Sequence, residues 1–365
     1  MARRLDLLPK AHLHLHFIGA MRRSTLIELA DLHGITLPDA FRGDWPPRLR
    51  GTDERGWFRF QRLYDYARAV LRTEADLRRL ITEIAEDEKA EGSGWLEYQV
   101  DPSGYAGRFG GLTAFTELVL DATAGAARAA GIAMSVTLAA NRTRHPLDAR
   151  TVARLAASYA GRGVTGFGLS SDERRGSPAD FAAAFRIAAR AGLLSVPHGG
   201  ELLGPGSVRG CLDDLNAVRI GHGVGAAGDA ALVRRLADEQ VTLEVCPASN
   251  VALGVAATPA RVPLITLLDA GVPVALGADD PLLFGSRLTA QYEIARNVHG
   301  LGDDPLAGLA RVSVRASAAP AEVKAGLLAG IDAWLAAPDP TAGIPPARHT
   351  GGAALTGRGG HGDES

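Results

Sequence analysis

The alternation of short β-like runs with helical stretches is the feature that most limits how this 365-residue chain can fold. Eight runs have the length and apolar character of buried strands: 11–17, 95–100, 132–139, 164–169, 194–198, 218–221, 242–245 and 274–277. Helical patterns lie between them, for example at 148–159, 179–191, 229–238 and 286–299. Strands that alternate with helices predict parallel βαβ units, and eight such units predict a closed (β/α)8 barrel of the TIM type. A doubly wound open sheet is the alternative, but no GxGxxG follows the first run.

The connection between the first two runs is unusually long. It contains one helical pattern near 24–33 and further patterns, rich in aromatic and charged residues, across about 53–91. Insertions of this length at the catalytic end of a barrel commonly form lids. We therefore predict one barrel over residues 1–335 with a lid-like helical insertion at about 20–91. The segment 336–365 is rich in Gly, Pro and Thr and lacks periodicity, which predicts a disordered C-terminal tail.

Composition limits the possible partners. The formal net charge is −2, so no basic surface indicates a nucleic-acid partner. Cys211 and Cys246 are the only cysteines, which excludes a disulfide framework. The chain shows neither the apolar stretch of a signal peptide nor a segment of membrane-spanning length. A soluble, cytoplasmic protein with no membrane partner is the expectation, and no particular oligomeric state is predicted.

Histidines occupy alternate positions in the first run, at His12, His14 and His16. Alternate side chains of a strand point to the same face and lie about 6.6 Å apart along it. Two imidazoles at that spacing can bind one ion, whereas His12 and His16 are too far apart to do so. Gly19 marks the end of the run, and barrel active sites lie at the carboxyl ends of the strands. This position favours His14 and His16 as metal ligands.

Three later runs also end in metal-binding or acidic residues. His198 begins the stretch HGGE, His222 lies within GHG, and Asp279 begins DDP. Histidine nitrogens with a carboxylate oxygen suit zinc, and a catalytic zinc site keeps one position open for water. Many barrel hydrolases bind two metals through a carbamylated lysine, but this chain has no lysine between Lys89 and Lys324. The cysteine-ligated deaminase signature is also absent. The sequence therefore predicts one metal ion per chain.

These motifs resemble the adenosine deaminase family of the amidohydrolase superfamily. The similarity begins with LPKAHLHLH at 8–16 and continues through HGGE at 198–201 and RIGHG at 219–223. It extends through EVCPASN at 244–250 to DDP at 279–281. In order and spacing, the resemblance covers about residues 1–335. It implies a hydrolytic deaminase with one Zn²⁺ per chain, held by four residues: His14, His16, His198 and Asp279.

The resemblance also implies roles for residues beside the metal. The zinc activates a water that attacks C6 of a 6-aminopurine nucleoside and releases ammonia. Glu201 is the general acid that protonates N1, His222 orients the water, and Asp280 binds N7. A proton shared between Asp280 and N7 requires a perturbed pKa near the metal. The stretch 247–250 is expected to shape the site, and Cys246 is expected to lie in the core.

Two substrate-contacting positions depart from the family pattern. Ile18 stands where adenosine deaminases have an aspartate that contacts the ribose 5′-hydroxyl, and an apolar side chain cannot accept that hydrogen bond. Ser171 stands where the family has a glycine close to N3, although its backbone N–H can still be offered. These changes favour a 5′-extended substrate such as 6-amino-6-deoxyfutalosine, an intermediate of a menaquinone route with a carboxyphenyl ketone tail.

A carboxylate on the substrate would require a cationic partner. Four arginines follow the first and third runs: Arg22, Arg23, Arg142 and Arg144. We include Arg22 with Asp280, Ser171 and Ile18 among the predicted substrate-binding residues, although ordinary adenosine deaminases have a counterpart of Arg22. Four aromatic residues of the insertion are candidates to roof the pocket: Trp57, Phe58, Phe60 and Tyr64.

Other functions remain open from the sequence. Within the family these are adenosine deamination in purine salvage and adenine deamination. A different amidohydrolase reaction, on an amide or a phosphoester, is a further alternative, but Glu201 and Asp280 together favour purine deamination. The non-enzymatic alternative is an inactive barrel that acts as a binding protein, and the complete set of metal and acid residues argues against it.

Overall fold

The computed structural model describes residues 3–337. Eight strands occur in this range: β1 (Lys10–His16), β2 (Ser93–Val100), β3 (Ala133–Asn141), β4 (Val164–Ser170), β5 (Leu194–Gly199), β6 (Arg219–His222), β7 (Thr242–Val245) and β8 (Val274–Leu276). Each predicted run corresponds to one strand, and no strand end differs by more than two residues from its prediction. The alternating pattern thus located every strand of the described chain.

Helices fill the connections between the strands. Within residues 3–337 they are α1 (Arg23–Leu32), α2 (Asp39–Arg42), α3 (Glu54–Ala69), α4 (Glu74–Ala90), α5 (Leu112–Ala130), α6 (Pro146–Ser158), α7 (Pro178–Arg190), α8 (Pro205–Leu215), α9 (Ala230–Asp238), α10 (Pro247–Ala252), α11 (Leu264–Asp269), α12 (Pro281–Phe284), α13 (Leu288–Asn297), α14 (Asp303–Ala316) and α15 (Ala321–Ala336). In this part of the chain no helix is both long enough and apolar enough to cross a bilayer. Of the tail predicted at 336–365, residue 336 ends α15, and residues 338–365 lie outside the described part of the chain.

The sheet is parallel throughout and closes on itself. Strands pair in chain order from β1 to β8, and Asp279, just beyond β8, completes the ring by bridging to Leu15 of β1. At this seam the Asp279 N–H donates to His14 O over 3.0 Å, and the His16 N–H donates to Asp279 O over 3.0 Å. The predicted (β/α)8 barrel is therefore confirmed, and the backbone itself brings three of the predicted metal ligands together.

Most of the core lies between the barrel and its outer helices. Helix α4 illustrates the packing, because its buried residues Leu77, Leu80, Ile81 and Ile84 recur at helical spacing and form one apolar face. Burying each such side chain contributes about 1.5–3 kcal/mol. A capping box between Thr73 and the N3 residue of α4 fixes where this helix begins.

Helices α1–α4 occupy the long connection between β1 and β2. Helix α3 brings several side chains to the cavity at the carboxyl ends of the strands. The length of this insertion and its place beside the cavity agree with the lid-like insertion predicted at about 20–91, which stays a prediction.

Candidate active site

A cavity at the carboxyl ends of the strands contains most of the predicted site residues. Those that line it are His16, Ile18, Ser171, His198, Glu201, His222, Asp279 and Asp280. His14 is completely buried beside it, with its ring centroid 4.8 Å from that of His222. Arg22 is the one predicted site residue that the structure does not bring to this group.

The predicted metal ligands direct their donor atoms toward one another. Nε2 of His16 lies 3.1 Å from Nε2 of His198 and 3.2 Å from Oδ1 of Asp279. Nε2 of His14 lies 3.6 Å from the same Oδ1 and has no hydrogen-bond partner among the described residues. Three imidazole nitrogens and a carboxylate oxygen form the donor set of a catalytic zinc site. The cluster therefore fits a zinc ion.

Two overlapping donor groups share Asp279. One contains His14, His198, His222 and Asp279, and the other contains His16, Asp279 and Asp280. Within each group the ligand atoms all lie within 4.8 Å of one another. The distances alone thus place His222 as close to the cluster as the predicted ligands.

A buried chain of charged side chains supports His14. Its Nδ1 lies 2.9 Å from Oε2 of Glu244, and Oε1 of Glu244 accepts from Nε of Arg219 over 2.7 Å. Nη2 of Arg219 donates in turn to Oε2 of Glu97 over 2.6 Å. Burial alone raises the pKa of Glu244, but Arg219 and His14 outweigh it and lower that pKa overall. A carboxylate that accepts from Nδ1 leaves the Nε2 lone pair free for a metal.

Asp279 is held in a similar way, because its Oδ2 accepts from Oγ of Ser249 over 2.6 Å. Sequence reasoning had assigned Ser249 only to shaping the site, and it had not identified Glu97, Arg219 or Glu244 as supports of the metal cluster. The sequence does contain an indication of these three residues, because a charged residue inside an apolar strand run requires a buried partner.

His12 does not face the cluster of predicted metal ligands. The three histidines do not share one face, because the pairing of β1 with β2 is irregular between His12 and Leu15. Nδ1 of His12 lies 2.9 Å from Oε1 of Glu88 on α4, and its Nε2 accepts from the N–H of Ala278 over 3.0 Å. His12 therefore connects β1 to α4 and to the end of β8.

The backbone around the site adopts unusual conformations. Asp279, His222 and Ser171 have φ angles of 61°, 62° and 79°, in the left-handed region that residues with a Cβ seldom adopt. Such conformations cluster where a fold must direct particular side chains. Gly19 makes room in another way, because a Cβ there would lie 1.8 Å from Oδ1 of Asp280. The backbone conformation at these positions therefore sets the direction in which the side chains of the site point.

The acidic groups of the cavity are strongly perturbed. Burial, together with the charge of Asp279, raises the pKa of Glu201 well above its ordinary value. The same two causes raise the pKa of Asp280, whose Oδ1 is buried with no partner among the described residues. Burial lowers the pKa of His222 to about 3, and its Nε2 lies 3.7 Å from Oε1 of Glu201. The perturbed pKa values agree with the expectation for this site, and they favour a protonated Glu201 beside a neutral His222.

The arginines proposed for a substrate carboxylate lie elsewhere. Nη2 of Arg22 pairs with Oδ1 of Asp87 at 2.8 Å, and Arg23 donates to backbone carbonyls near α2. Arg142 donates to His198 O, and Arg144 faces Asp148 at 3.8 Å. None of the four lines the cavity. All four arginines contact other groups of the protein away from the cavity. The prediction that Arg22 binds substrate gains no support from the structure.

Helix α3 supplies an arginine that sequence reasoning missed. Trp57, Phe60 and Tyr64 line the cavity as predicted, and Arg68 follows on the same face. Phe58 does not line the cavity and is 55% exposed, because a helix turns by about 100° per residue. The phenylalanine therefore points to solvent and does not roof the site.

One N–H donor of the Arg68 guanidinium is available to a ligand. Its guanidinium carbon lies 5.1 Å from the ring centroid of Tyr64 and 5.8 Å from that of Tyr105. Nη1 donates to Asp65 over 2.7 Å, whereas Nε is buried and has no partner among residues 3–337. Helical spacing from Tyr64 was the signal that could have identified this residue.

Comparison with known proteins agrees with this geometry. The family model described as adenosine deaminase matches residues 9–334. A Streptomyces virginiae protein whose name includes adenosine/adenine deaminase is 66% identical, over 92% of this chain and 98% of the relative. An adenine deaminase of Chelativorans sp. is 36% identical, over 88% of this chain and 98% of the relative.

A solved structure supports the same assignment. The crystal structure of adenine deaminase from Arthrobacter aurescens matches with a TM-score of 0.83 and 31% sequence identity. The match covers 90% of this chain and 99% of that protein. Both the family model and these relatives extend over nearly the whole described barrel. The chain therefore belongs to the adenosine deaminase family of hydrolytic deaminases.

Proposed function

We propose that this enzyme is a mononuclear zinc hydrolase that converts a 6-aminopurine nucleoside to the 6-oxopurine product and ammonia. The observation that supports this most is the cluster of His14, His16, His198 and Asp279 at the mouth of the barrel. It lies beside a buried Glu201 whose pKa is raised by burial and by the charge of Asp279. In the overall reaction the C6–N bond breaks, a C6–O bond to a water oxygen forms, and the amino group leaves as ammonia.

Zinc bound by the four residues would supply the Lewis acidity that makes water nucleophilic near neutral pH. Glu201 holds a proton that it can give to N1, which draws electrons away from C6. Asp280, whose buried Oδ1 has no hydrogen-bond partner among residues 3–337, binds N7. Burial lowers the pKa of His222, which favours its neutral form, and the neutral imidazole can orient the attacking water. We assign His222 to the water, and not to the metal, because the family resemblance gives it that role.

The cavity wall favours a substrate extended at the 5′ position. Ile18 lines the cavity, is only 1% exposed and offers no acceptor to a ribose 5′-hydroxyl. Arg68 lines the same cavity between the rings of Tyr64 and Tyr105, and no described residue pairs with its Nε. An aromatic tail that ends in a carboxylate complements these groups, because arginine binds carboxylates through paired N–H donors. We therefore propose 6-amino-6-deoxyfutalosine as the substrate, with menaquinone synthesis as the route it serves.

Adenine deamination is the second candidate. It is favoured by the names of the Chelativorans relative and of the Arthrobacter aurescens structure. Free adenine has no sugar, so its binding would not require a hydrogen-bond acceptor at Ile18. It would, however, offer no carboxylate to Nε of Arg68. Adenosine deamination in purine salvage is a third possibility within the same chemistry, and it requires the 5′-hydroxyl contact that Ile18 cannot make.

A steady-state comparison of four substrates tests the proposal. The zinc-loaded enzyme is assayed for ammonia release from adenosine, adenine, 5′-methylthioadenosine and 6-amino-6-deoxyfutalosine. We expect kcat/KM for 6-amino-6-deoxyfutalosine to exceed that for adenosine and adenine by roughly tenfold or more. A higher kcat/KM for adenosine or adenine would contradict the proposed substrate. Ammonia release from none of the four would contradict purine deamination itself.

A further inference from the structure

We propose that Glu173 is a positioning residue that fixes the catalytic orientation of Glu201; this rests on the role proposed for Glu201 as general acid. Glu173 lies three residues beyond the end of β4 and is buried, at 3% exposure. It does not line the cavity and therefore touches no substrate. Its carboxylate instead binds the loop between β5 and α8, which carries Glu201.

Both oxygens of the Glu173 carboxylate are used by this loop. Oε2 accepts from the backbone N–H of Leu202 over 2.6 Å and from that of Leu203 over 2.9 Å. Oε1 accepts from the backbone N–H of Gly200 and from Oγ of Ser207. The bonded amides of Gly200 and Leu202 belong to the two residues that flank Glu201, so the backbone of Glu201 is held on both sides.

Glu201 needs this support because its own carboxyl group is not anchored. Among residues 3–337 no group hydrogen-bonds to it, and Nε2 of His222 lies 3.7 Å from its Oε1. The direction of the carboxyl group therefore depends on its backbone. Gly200 has a φ of 69°, a left-handed turn that must be kept for the loop to leave β5 in this direction.

The charge of Glu173 matters as well as its shape. A carboxylate can accept from four donors at two oxygens, whereas a glutamine has one acceptor oxygen and presents N–H donors at the other position. Glu173→Gln would therefore leave one pair of these buried donors unpaired. The backbone of Glu201 would then be held less firmly. Because a displacement of about 1 Å at a reacting group can cost about 100-fold in rate, a small movement of Glu201 has a large effect.

The test uses the zinc-loaded full-length enzyme and the best of the four purine substrates. We expect Glu173→Gln to lower kcat about 10- to 100-fold while KM stays within about threefold. Zinc content is expected to remain at one ion per chain. Asp172→Asn is the matched control, because Asp172 is equally buried but, within the described part of the chain, its side chain bonds only to Arg174; its kcat should stay near that of the unmodified enzyme.

A double-mutant cycle separates positioning from a general structural effect. If Glu173 acts through Glu201, adding Glu173→Gln to Glu201→Gln should change kcat by less than about twofold. An equal fold loss in both backgrounds, or an unchanged kcat in Glu173→Gln alone, would overturn the proposal. Inactivity of the unmodified enzyme on all four purines would instead refute the proposed function.

A milder variant covers the case in which Glu173→Gln does not fold. Ser207→Ala removes one of the hydrogen bonds to Oε1 of Glu173 and leaves the backbone bonds in place. We expect it to lower kcat about two- to tenfold, and this loss should disappear in the Glu201→Gln background. An unchanged kcat in a folded Ser207→Ala enzyme would contradict the positioning role of Glu173.

Discussion

Nδ1 of His14 lies 2.9 Å from Oε2 of Glu244, while Nε2 of the same ring faces Asp279 at 3.6 Å. The imidazole is thus held by a carboxylate on one side and presented to the metal cluster on the other. Glu244 is itself fixed by Arg219. This arrangement determines which nitrogen of His14 carries the proton.

Glu244→Gln should weaken zinc binding about 10- to 100-fold, because the tautomer and orientation of His14 are no longer fixed. Zinc affinity is measured by competition with a chelator. Glu88→Gln is the matched control, since Glu88 pairs with His12 in the same way but away from the metal cluster. Equal zinc affinity in Glu244→Gln and the unmodified enzyme would remove Glu244 from this role.

Asp279→Ala should lose zinc or bind it weakly, because it removes the carboxylate shared by both donor groups. Elemental analysis of the purified variant gives the metal content directly. Asp280→Asn is the comparison, and we expect it to keep its zinc while kcat falls. A fully metallated Asp279→Ala enzyme would contradict the ligand assignment, as would loss of zinc from Asp280→Asn alone.

Ile18→Asp should restore an acceptor for a ribose 5′-hydroxyl. A hydrogen bond gained at this buried position is worth about 0.5–1.5 kcal/mol, so kcat/KM for adenosine should rise by roughly 2- to 13-fold. The kcat/KM for the 5′-extended substrate should fall. An apolar substituent would leave the new carboxylate desolvated without a partner, and an anionic substituent would be repelled by it. Ile18→Val is the control and should change neither. If adenosine turnover did not improve, Ile18 would not be the residue that disfavours the 5′-hydroxyl.

Arg68→Met should raise KM for 6-amino-6-deoxyfutalosine and leave KM for adenosine nearly unchanged. Hydrogen bonds to charged groups contribute about 1.5–3 kcal/mol, which corresponds to roughly 10- to 150-fold in binding. Arg144→Met serves as control, since Arg144 lies outside the cavity. Equal KM changes for both substrates would show that Arg68 supports the fold of α3 and does not bind a carboxylate.

The fold could be predicted because its signals are local. Each strand is a short apolar run bounded by turns, and the metal ligands lie where those runs end, so chain order alone placed them at one end of a barrel. The closing pair of His14 and Asp279 could be inferred in the same way, from the first and last strand ends.

What could not be predicted depends on contacts between distant parts of the chain. The path from Glu97 through Arg219 to Glu244 joins β2, β6 and β7, and no local pattern pairs these charges. The irregular pairing of β1 turns His12 away from the expected face. The pairing of Arg22 with Asp87 on α4, which keeps Arg22 from the cavity, is likewise a contact between distant segments.

The proposed reaction requires both the metal cluster and a separate acid, Glu201, and Glu201→Gln removes the acid without touching a predicted metal ligand. Zinc content and kcat are measured on the same preparation with the best purine substrate. We predict one zinc per chain, as in the unmodified enzyme, and a kcat lower by about 10²- to 10⁴-fold, because the proton for N1 is lost. A near-normal kcat in a fully metallated Glu201→Gln enzyme would contradict the account.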